Sequence, residues 1–445
     1  NNLFIRLMKT IIIGRKVLAV IMVCLFSLMH ADAQEATIDG LHYFLFPDTH
    51  EATLNHDNDW QGDLVIPSEV NYKGETYTVS GISDMAFIQS KELTKVRIPK
   101  TIDHVEHALL TDEGYNGYLS DYCMNPFQAC TALESIEVDE DSPVFKAVDG
   151  ILFNKDGTRL YCYPGGIKTE SYTVPDCVTW IGNAFEYNEY LVTVKLPESV
   201  EDLYGGFSGC TKLENVNLPK NLTILSDYMF SECTCLKSIE IPSGVNRIAE
   251  GVFRNCSSLE SVVLPESVSA IGNYSFSHCT SLETIVIPVS LSNISNGLFL
   301  GCSNLKRVVI PDGVGRVSLD AFDDCSSLKE LDLPASVTDI PGPAFRGCKF
   351  DNLIIRGNLG LYMSRHIFDG METSATIYTL ASQVKEFQEI YDGVVLPLEK
   401  YTSDIQPTKY SSANPSTAYD LQGRRLNGTP AKGLYIQNGR KMIAK

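Results

Sequence analysis

Basic residues are scarce in this chain. Its 445 residues include 36 Lys and Arg against 55 Asp and Glu, which gives a formal net charge of -19 at pH 7. A chain this acidic repels nucleic acids and anionic membranes, so we expect neither to be its partner. Long apolar runs are also scarce, because no segment after Val17–Leu28 is long and apolar enough to predict a membrane helix.

Motifs for catalysis or metal binding are missing as well. The HVEH stretch at residues 104–107 does not have the spacing of a zinc-binding HExxH motif. Residues 205–209 are not flanked like a nucleophile elbow, and Asp139-Glu140-Asp141 lacks the order and the glycine of a calcium-binding EF-hand loop. The sequence therefore predicts no enzyme, no cofactor and no metal site.

The N-terminus has the features of an export signal. Lys9, Arg15 and Lys16 precede the apolar run, and Ala31-Asp32-Ala33 offers a cleavage site with small residues. An uncleaved membrane anchor is the alternative, but the run is too short to span a bilayer comfortably. We predict a signal peptide at residues 1–33 and, after its cleavage, a secreted or cell-surface protein without a membrane span.

The most regular feature of the chain is a repeat of 23 residues. Phenylalanines recur at this interval, at Phe207, Phe230, Phe253, Phe276, Phe299, Phe322, Phe345 and Phe368. Each repeat follows the frame Leu-x-x-Val-x-Ile-Pro-x-x-Val-x-x-Ile-x-x-x-x-Phe-x-x-Cys, in which alternating apolar residues predict a strand that the proline ends. A fixed period of this length predicts a repeat solenoid with a parallel β-sheet along one face.

Thirteen cysteines in an exported chain would suggest disulfides, but most of them follow the repeat. Eight lie three residues after a phenylalanine: Cys130, Cys210, Cys233, Cys256, Cys279, Cys302, Cys325 and Cys348. Equivalent side chains on stacked strands are parallel and about 4.8 Å apart, which is farther than the Cβ atoms of a disulfide. We therefore predict a buried ladder of free thiols rather than a metal site, and only Cys123, Cys162, Cys177 and Cys235 remain as candidates for disulfides.

Interruptions of the repeat divide the chain. The predicted segments are the signal (1–33), an N-terminal cap with the first repeat (34–92), the solenoid (93–374) with insertions at 103–126 and 139–171, a C-terminal cap (375–400), a linker (401–417) and a small β unit (418–445). The second insertion contains a hairpin pattern around Asn154-Lys155-Asp156-Gly157. In the C-terminal cap we predict a strand at 375–378 and a helix at 380–391, with an apolar stripe formed by Leu380, Val384, Phe387 and Ile390.

The repeat frame resembles the BspA-type leucine-rich repeat of bacterial surface proteins, in which Cys takes the ladder position. The end of the chain, with YDLQGR at 419–424, KGLYI at 432–436 and NGRK at 438–441, is similar to C-terminal sorting regions of proteins secreted by Bacteroidetes-type bacteria. A plain β-hairpin with Asn438-Gly439 as its turn is the alternative for this tail. The resemblance implies a non-catalytic surface protein that adheres to host extracellular-matrix proteins or to other cells.

Function is expected on the outward face of the parallel sheet, because the residues inside the frame are needed for the core. The candidate binding residues flank the central apolar residue of each strand: Thr193, Lys195, Asn217, Glu240, Val263, Val286, Arg307, Val309, Glu330 and Asp332. The same rule places Asn352 and Ile354 on this face. Val263, Val286 and Val309 would form an apolar stripe that marks a contact surface, or would simply reflect the preference of Val for strands.

A carbohydrate-binding or glycan-uptake accessory protein is the alternative function. It would require a cluster of exposed aromatic residues, and the outward strand positions identified above contain none. The tyrosines of the two insertions are then the only candidates for such a cluster. Protein binding is therefore the first hypothesis.

Overall fold

The computed structural model describes residues 33–56, 58–106, 125–360 and 364–401, together with tail strands at 418–420, 425–426, 433–437 and 440–444. Most of the predicted signal peptide, Cys123 and residues 402–417 of the predicted linker lie outside these described residues. The chain forms two compact units, residues 1–166 and 167–445, which we call unit 1 and unit 2. In the described part of the chain, no helix has the length and apolar character that a membrane crossing requires.

The described part of unit 1 consists of short β-strands. They are β1 (Gln34–Ile38), β2 (Leu41–Phe46), β3 (Glu51–Leu54), β4 (Gln61–Val65), β5 (Glu69–Tyr72), β6 (Glu75–Ser83), β7 (Glu92–Ile98), β8 (His104–Glu106), β9 (Ser135–Val138), β10 (Phe145–Val148), β11 (Ile151–Asn154) and β12 (Arg159–Cys162). Strands β1, β2 and β3 are antiparallel, whereas β4, β7 and β9 form a parallel sheet. Parallel pairing of the repeat type therefore already begins in unit 1.

The predicted hairpin of the second insertion is confirmed. Strands β11 and β12 are antiparallel, and the Asn154 side chain accepts hydrogen bonds from the backbone N–H groups of Gly157 and Arg159 at 3.0 and 2.9 Å. An additional antiparallel strand, β10, precedes this hairpin through a turn at Asp149-Gly150, where both residues have positive φ. The insertion is thus a three-stranded meander.

Unit 2 contains the regular repeats. Its strands are β13 (Ser171–Thr173), β14 (Trp180–Ile181), β15 (Thr193–Lys195), β16 (Asp202–Leu203), β17 (Asn215–Val216), β18 (Ile224–Leu225), β19 (Ser238–Glu240), β20 (Arg247–Ile248), β21 (Ser261–Val263), β22 (Ala270–Ile271), β23 (Thr284–Val286), β24 (Asn293–Ile294), β25 (Arg307–Val309), β26 (Arg316–Val317), β27 (Glu330–Leu333), β28 (Asn352–Ile355), β29 (Thr376–Thr379) and β30 (Val394–Pro397), followed in the tail by β31 (Ala418–Asp420), β32 (Arg425–Leu426), β33 (Gly433–Gln437) and β34 (Arg440–Ala444).

The strands of unit 2 pair in parallel on two sides of each repeat. On the first side the paired groups are β13-β15-β17, β19-β21, β23-β25 and β27-β28-β29-β30. On the second side, the groups confined to unit 2 include β18-β20-β22 and β24-β26. The pairs are short because a proline follows most of the first-side strands and cannot donate to the ladder. These two parallel ladders confirm the predicted repeat solenoid.

A column of stacked phenylalanines fills the interior of unit 2. From Phe185 through Phe345, successive rings lie 5.2–6.2 Å apart and within 24° of parallel. These rings are fully buried. Phe350 meets Phe345 edge-on at 72° and ends the stack. Each repeat therefore buries its aromatic ring against the repeat before it and the repeat after it.

The C-terminal cap differs from its prediction. The helix, α1, spans Val384–Ile390, and residues 381–383 form a turn where the sequence predicted helix. Of the predicted apolar stripe only Phe387 is fully buried, and Tyr391 joins it in the core. Both rings pack on Phe368, with centroids 5.5 and 5.4 Å away. Two side chains four residues apart anchor the cap, so a longer amphipathic helix is not needed.

The tail strands form a separate antiparallel sheet in the order β32-β31-β33-β34. Strands β33 and β34 are antiparallel, with Gln437 opposite Arg440. The predicted turn residues 438 and 439 lie outside the described residues. The tail is thus a small β unit, as the sequence predicts.

Candidate binding surface

The cysteines of the frame hold neighbouring repeats together. Seven are in unit 2 and fully buried: Cys210, Cys233, Cys256, Cys279, Cys302, Cys325 and Cys348. Each thiol donates a hydrogen bond to the backbone carbonyl of the phenylalanine in the preceding repeat, at Sγ–O distances of 3.0–3.2 Å. Cys130 in unit 1 donates to Phe87 in the same way, at 2.9 Å. The ladder therefore satisfies backbone oxygens that the stacked fold would otherwise leave buried and partly unpaired.

Burial keeps these thiols neutral and unreactive. It raises the pKa of Cys302 to about 12 and raises the pKa of the other ladder cysteines as well. The disulfide candidates Cys162 and Cys235 are free thiols too. Among the described residues, no group of His, Cys, Asp or Glu side chains is placed to hold a metal ion. The ladder is thus a structural element of the core.

In two pairs of successive repeats, the turn before the phenylalanine combines a large residue with a small one. Tyr228 and Gly251 occupy the same position in successive repeats, two residues before the phenylalanine, and both have positive φ. A Cβ atom on Gly251 would lie 2.5 Å from ring carbons of Tyr228. Tyr274 and Gly297 repeat the arrangement. A ring in one repeat therefore requires a glycine in the next, which fixes the repeats in register.

The structure places the predicted binding residues on the outward side of their strands. Their inward neighbours Val194, Ile285 and Leu331 are 1–2% exposed. The exposed members are Lys195, Asn217 and Glu240, and the half-buried members are Thr193, Val263, Val286, Arg307, Val309, Glu330 and Asp332. Val286 pairs in register with Val309, whereas Val263 pairs with Glu240. The valine stripe is therefore partly covered by its neighbours.

One predicted binding residue has a structural contact. The Asn217 side chain donates to the Leu196 carbonyl at 2.8 Å and accepts from the Leu196 N–H at 2.9 Å. These two hydrogen bonds extend the pairing of β15 and β17 by one residue. In this additional pair, the side-chain amide of Asn217 takes the place of backbone groups of β17. Asn217 is therefore engaged by the neighbouring strand although it is exposed to solvent.

Ile354 lies at an outward position of its strand but is not accessible to solvent. Its register places it outward, opposite Asp332 on one side and Tyr378 on the other, yet it is 0% exposed. Arg356, which directly follows the last residue of β28, reaches back to Asp332. Ile354 is therefore not available to a partner.

The contact between Arg356 and Asp332 is bidentate. The Arg356 Nε and Nη2 atoms donate to the two carboxylate oxygens of Asp332 at 2.6 and 2.8 Å. These hydrogen bonds raise the pKa of Arg356, against the opposing effect of its partial burial. The two side chains are 33% and 37% exposed, so solvent reaches the pair. A bidentate pair of this kind fixes the guanidinium plane.

An aromatic pair lies beside this ion pair. Tyr378 faces outward on β29, next to Ile354 in register, and its ring centroid is 4.9 Å from that of Tyr401. The repeat frame predicted no aromatic residue at the outward positions, and it did not predict Tyr378 there because residues 375–378 were assigned to the cap. The spacing from Asp332 to Ile354 to Tyr378 departs from the 23-residue period, which hides the equivalence. The alternation of Thr376, Ile377 and Tyr378 was the available signal.

The comparison with known families identifies the repeats. The model of the BspA type leucine rich repeat region matches residues 159–269 and 246–375, in six copies. This part of the chain therefore matches the repeats of the BspA-type leucine-rich repeat family, as the frame predicted. No curated protein matches the chain.

Solved structures of bacterial leucine-rich repeat proteins are similar to the chain. One from Bacteroides ovatus is 19% identical, with 78% of this chain and 99% of that chain covered and a TM-score of 0.36. One from Eubacterium ventriosum is 18% identical, with coverages of 69% and 97% and a TM-score of 0.46. A leucine rich cell surface protein from Faecalibacterium prausnitzii is 19% identical, with coverages of 82% and 99% and a TM-score of 0.39.

Proposed function

We propose that this protein is exported and that, without catalysis, it binds another protein through the outward face of the first-side strands of unit 2. The proposed setting is the cell surface or the secreted state, and the proposed role is adhesion to host extracellular-matrix proteins or to other cells. The N-terminal export pattern and the similarity of the tail to sorting regions support the setting. They also support export of the chain from residue 34 onward.

The composition of the outward face is the observation that supports binding. The inward positions of the repeats are nearly constant, whereas the outward positions vary among Thr, Lys, Glu, Val, Arg and Asp. The variable residues stand on a sheet whose backbone is fixed by the stacked phenylalanines and the thiol ladder. Solenoid proteins use a rigid surface of variable residues in this way to bind partners. The half-buried valines add apolar area to the charged and polar groups around them.

Binding to immobilised matrix proteins, such as fibronectin, laminin and collagen, tests the proposal. Val286→Asp and Arg307→Glu each change the outward face, and we expect each to weaken binding by at least about tenfold, as substitutions at the centre of an interface do. Ala270→Asp adds the same charge to β22, on the second side of the repeat, and serves as the matched control. Binding that tolerates both changes on the outward face, or that is lost equally in the control, would exclude this surface.

A further inference from the structure

The outward face has one segment whose side chains are already held in place. We infer that Asp332, Arg356, Tyr378 and Tyr401, together with Val309 beside them, form the anchoring centre of the face, and that they take an apolar, uncharged segment of a protein partner. The inference rests on the proposed function and deepens it, because it states where the partner is anchored and what chemistry the partner presents.

The apolar surface of the outward face is nearly continuous along one column of residues. In the outward position nearer the end of each strand, Val263, Val286 and Val309 occupy three successive repeats. Asp332 follows, and then Ile354 and Tyr378 in register with it. Asp332 is thus the one charged side chain in this column between Val263 and Tyr378.

Arg356 neutralises the carboxylate of Asp332. The bidentate hydrogen bonds satisfy both oxygens of Asp332, so an apolar segment can cover it without leaving an unpaired charge. An aspartate without Arg356 would oppose burial against an apolar partner. The ion pair therefore makes the column continuous for a partner even though it contains a charged residue.

The Arg356 and Tyr378 side chains are already held in place before a partner binds. Arg356 is fixed by two hydrogen bonds and Tyr378 by contact with the Tyr401 ring, so neither needs to be ordered when a partner binds. Ordering of such side chains costs affinity, and Tyr and Arg are the residues that most often dominate binding energy at interfaces. Ile354, which is in register between Asp332 and Tyr378, is fully buried.

This part of the outward face carries no net charge. The two cations Arg307 and Arg356 balance the two anions Glu330 and Asp332 on this part of the face, whereas the chain as a whole carries a net charge of -19. A cationic partner would be attracted by the rest of the chain but would gain nothing from this neutral patch. An apolar, uncharged segment complements this patch. Its binding should depend little on salt, because salt screens interactions between charges and neither the patch nor the segment carries a net charge.

A peptide library displayed on phage, selected on the immobilised chain from residue 34 onward, tests the inference without a known partner. We expect the selected peptides to be apolar and uncharged. As synthetic peptides, their Kd should change less than about twofold between about 0.05 and 0.5 M NaCl. Tyr378→Ala should weaken them at least about tenfold, and Tyr378→Phe should weaken them much less. Selection of Lys- and Arg-rich peptides whose affinity falls with salt would overturn the inference.

The ion pair provides the second, independent test. Arg356→Ala leaves Asp332 without its partner and should weaken the peptides about tenfold or more, whereas Arg356→Ala with Asp332→Ala should recover most of that loss. Thermal unfolding of each variant distinguishes lost binding from lost folding. An Arg356→Ala variant that folds and binds normally would contradict the anchoring role.

The two proposals fail in different ways. If matrix proteins bind and Val286→Asp abolishes binding while Tyr378→Ala and Arg356→Ala do not, the outward face is correct and the anchoring centre is not. If binding is unaffected by all of these substitutions, the proposed function itself fails.

Discussion

The inward and outward columns of the repeats in unit 2 are built on the same strands but obey different constraints. Along the inward columns the same residue types recur, and Phe253 and Cys256 have the same contacts in their repeat as their equivalents have in the neighbouring repeats. Along the outward column the residue changes from Lys195 to Glu240 to Val286 to Asp332. Packing therefore determines one side of each strand and leaves the other side free.

The difference shows where sequence variation carries information. An inward residue has a neighbour directly before and after it in the stack, so a change of size or polarity affects two contacts at once. An outward residue meets neighbours only at its flanks, and solvent accommodates the rest. Function is therefore to be sought in the outward column, and the following predictions test how strict the inward constraint is.

Alkaline pH should have the largest effect, because it removes the contribution of the inward thiol ladder to the free energy of unfolding. Burial raises the pKa of the seven ladder thiols of unit 2 above the ordinary value of 9.0, so above pH 9 only the unfolded chain releases these protons. Their contribution to stability is complete below pH 9 and is lost as the pH rises through the folded pKa. For each thiol, the free energy of unfolding should fall by up to about 1.4 kcal/mol per pH unit in this range. Urea denaturation between about pH 7 and pH 10 measures the slope.

A variant of the ladder provides the control for this prediction. Cys256→Ala combined with Cys279→Ala removes two titrating groups and should make the slope shallower. Ser261→Ala, on the outward side of β21, should leave it unchanged. An unchanged slope in the double variant would show that other groups cause the alkaline loss.

Truncation of a stacked ring should have the next largest effect. Phe253→Ala removes a fully buried ring that lies 5.8 Å from Phe230 and 5.4 Å from Phe276, so it leaves a cavity between two repeats. We expect the free energy of unfolding to fall by about 3–5 kcal/mol. Ser238→Ala on the outward face should change it by less than about 0.5 kcal/mol. Chemical denaturation of both variants measures the contrast, and similar losses in the two would contradict it.

The tyrosine–glycine pair should give the smallest of these effects. Gly251 has a φ of +59°, and a Cβ atom there would meet the Tyr228 ring, so Gly251→Ala should cost about 1–3 kcal/mol through strain and steric contact together. Tyr228→Ala with Gly251→Ala removes the steric contact, whereas the strain at residue 251 and the loss of the Tyr228 hydrogen bond to Glu250 remain. The double variant should therefore lose less stability than the sum of the two single variants in a thermal unfolding cycle. Additive losses would show that the ring does not need the glycine.

Much of this fold follows from the period of the sequence. The Phe and Cys columns and the outward positions from Thr193 to Asp332 are consequences of a local pattern repeated at a fixed interval, and the hairpin at Asn154 follows from its own turn residues. The helix of the cap was predicted too long, because its apolar spacing does not reveal that only Phe387 and Tyr391 reach the core. The outward role of Tyr378 was missed because the last repeats depart from the 23-residue spacing on which the alignment of columns depended.

The sequence by itself determined the solenoid, its buried columns and the face on which to seek function, because a periodic pattern specifies the same neighbours in every repeat. Only the tertiary structure decided which outward residues are available. Asn217 bonds to the backbone of the neighbouring strand, and Ile354 is buried although its register places it outward. Both outcomes depend on side chains of adjacent repeats, whose reach across the sheet is set by three-dimensional packing and not by the period.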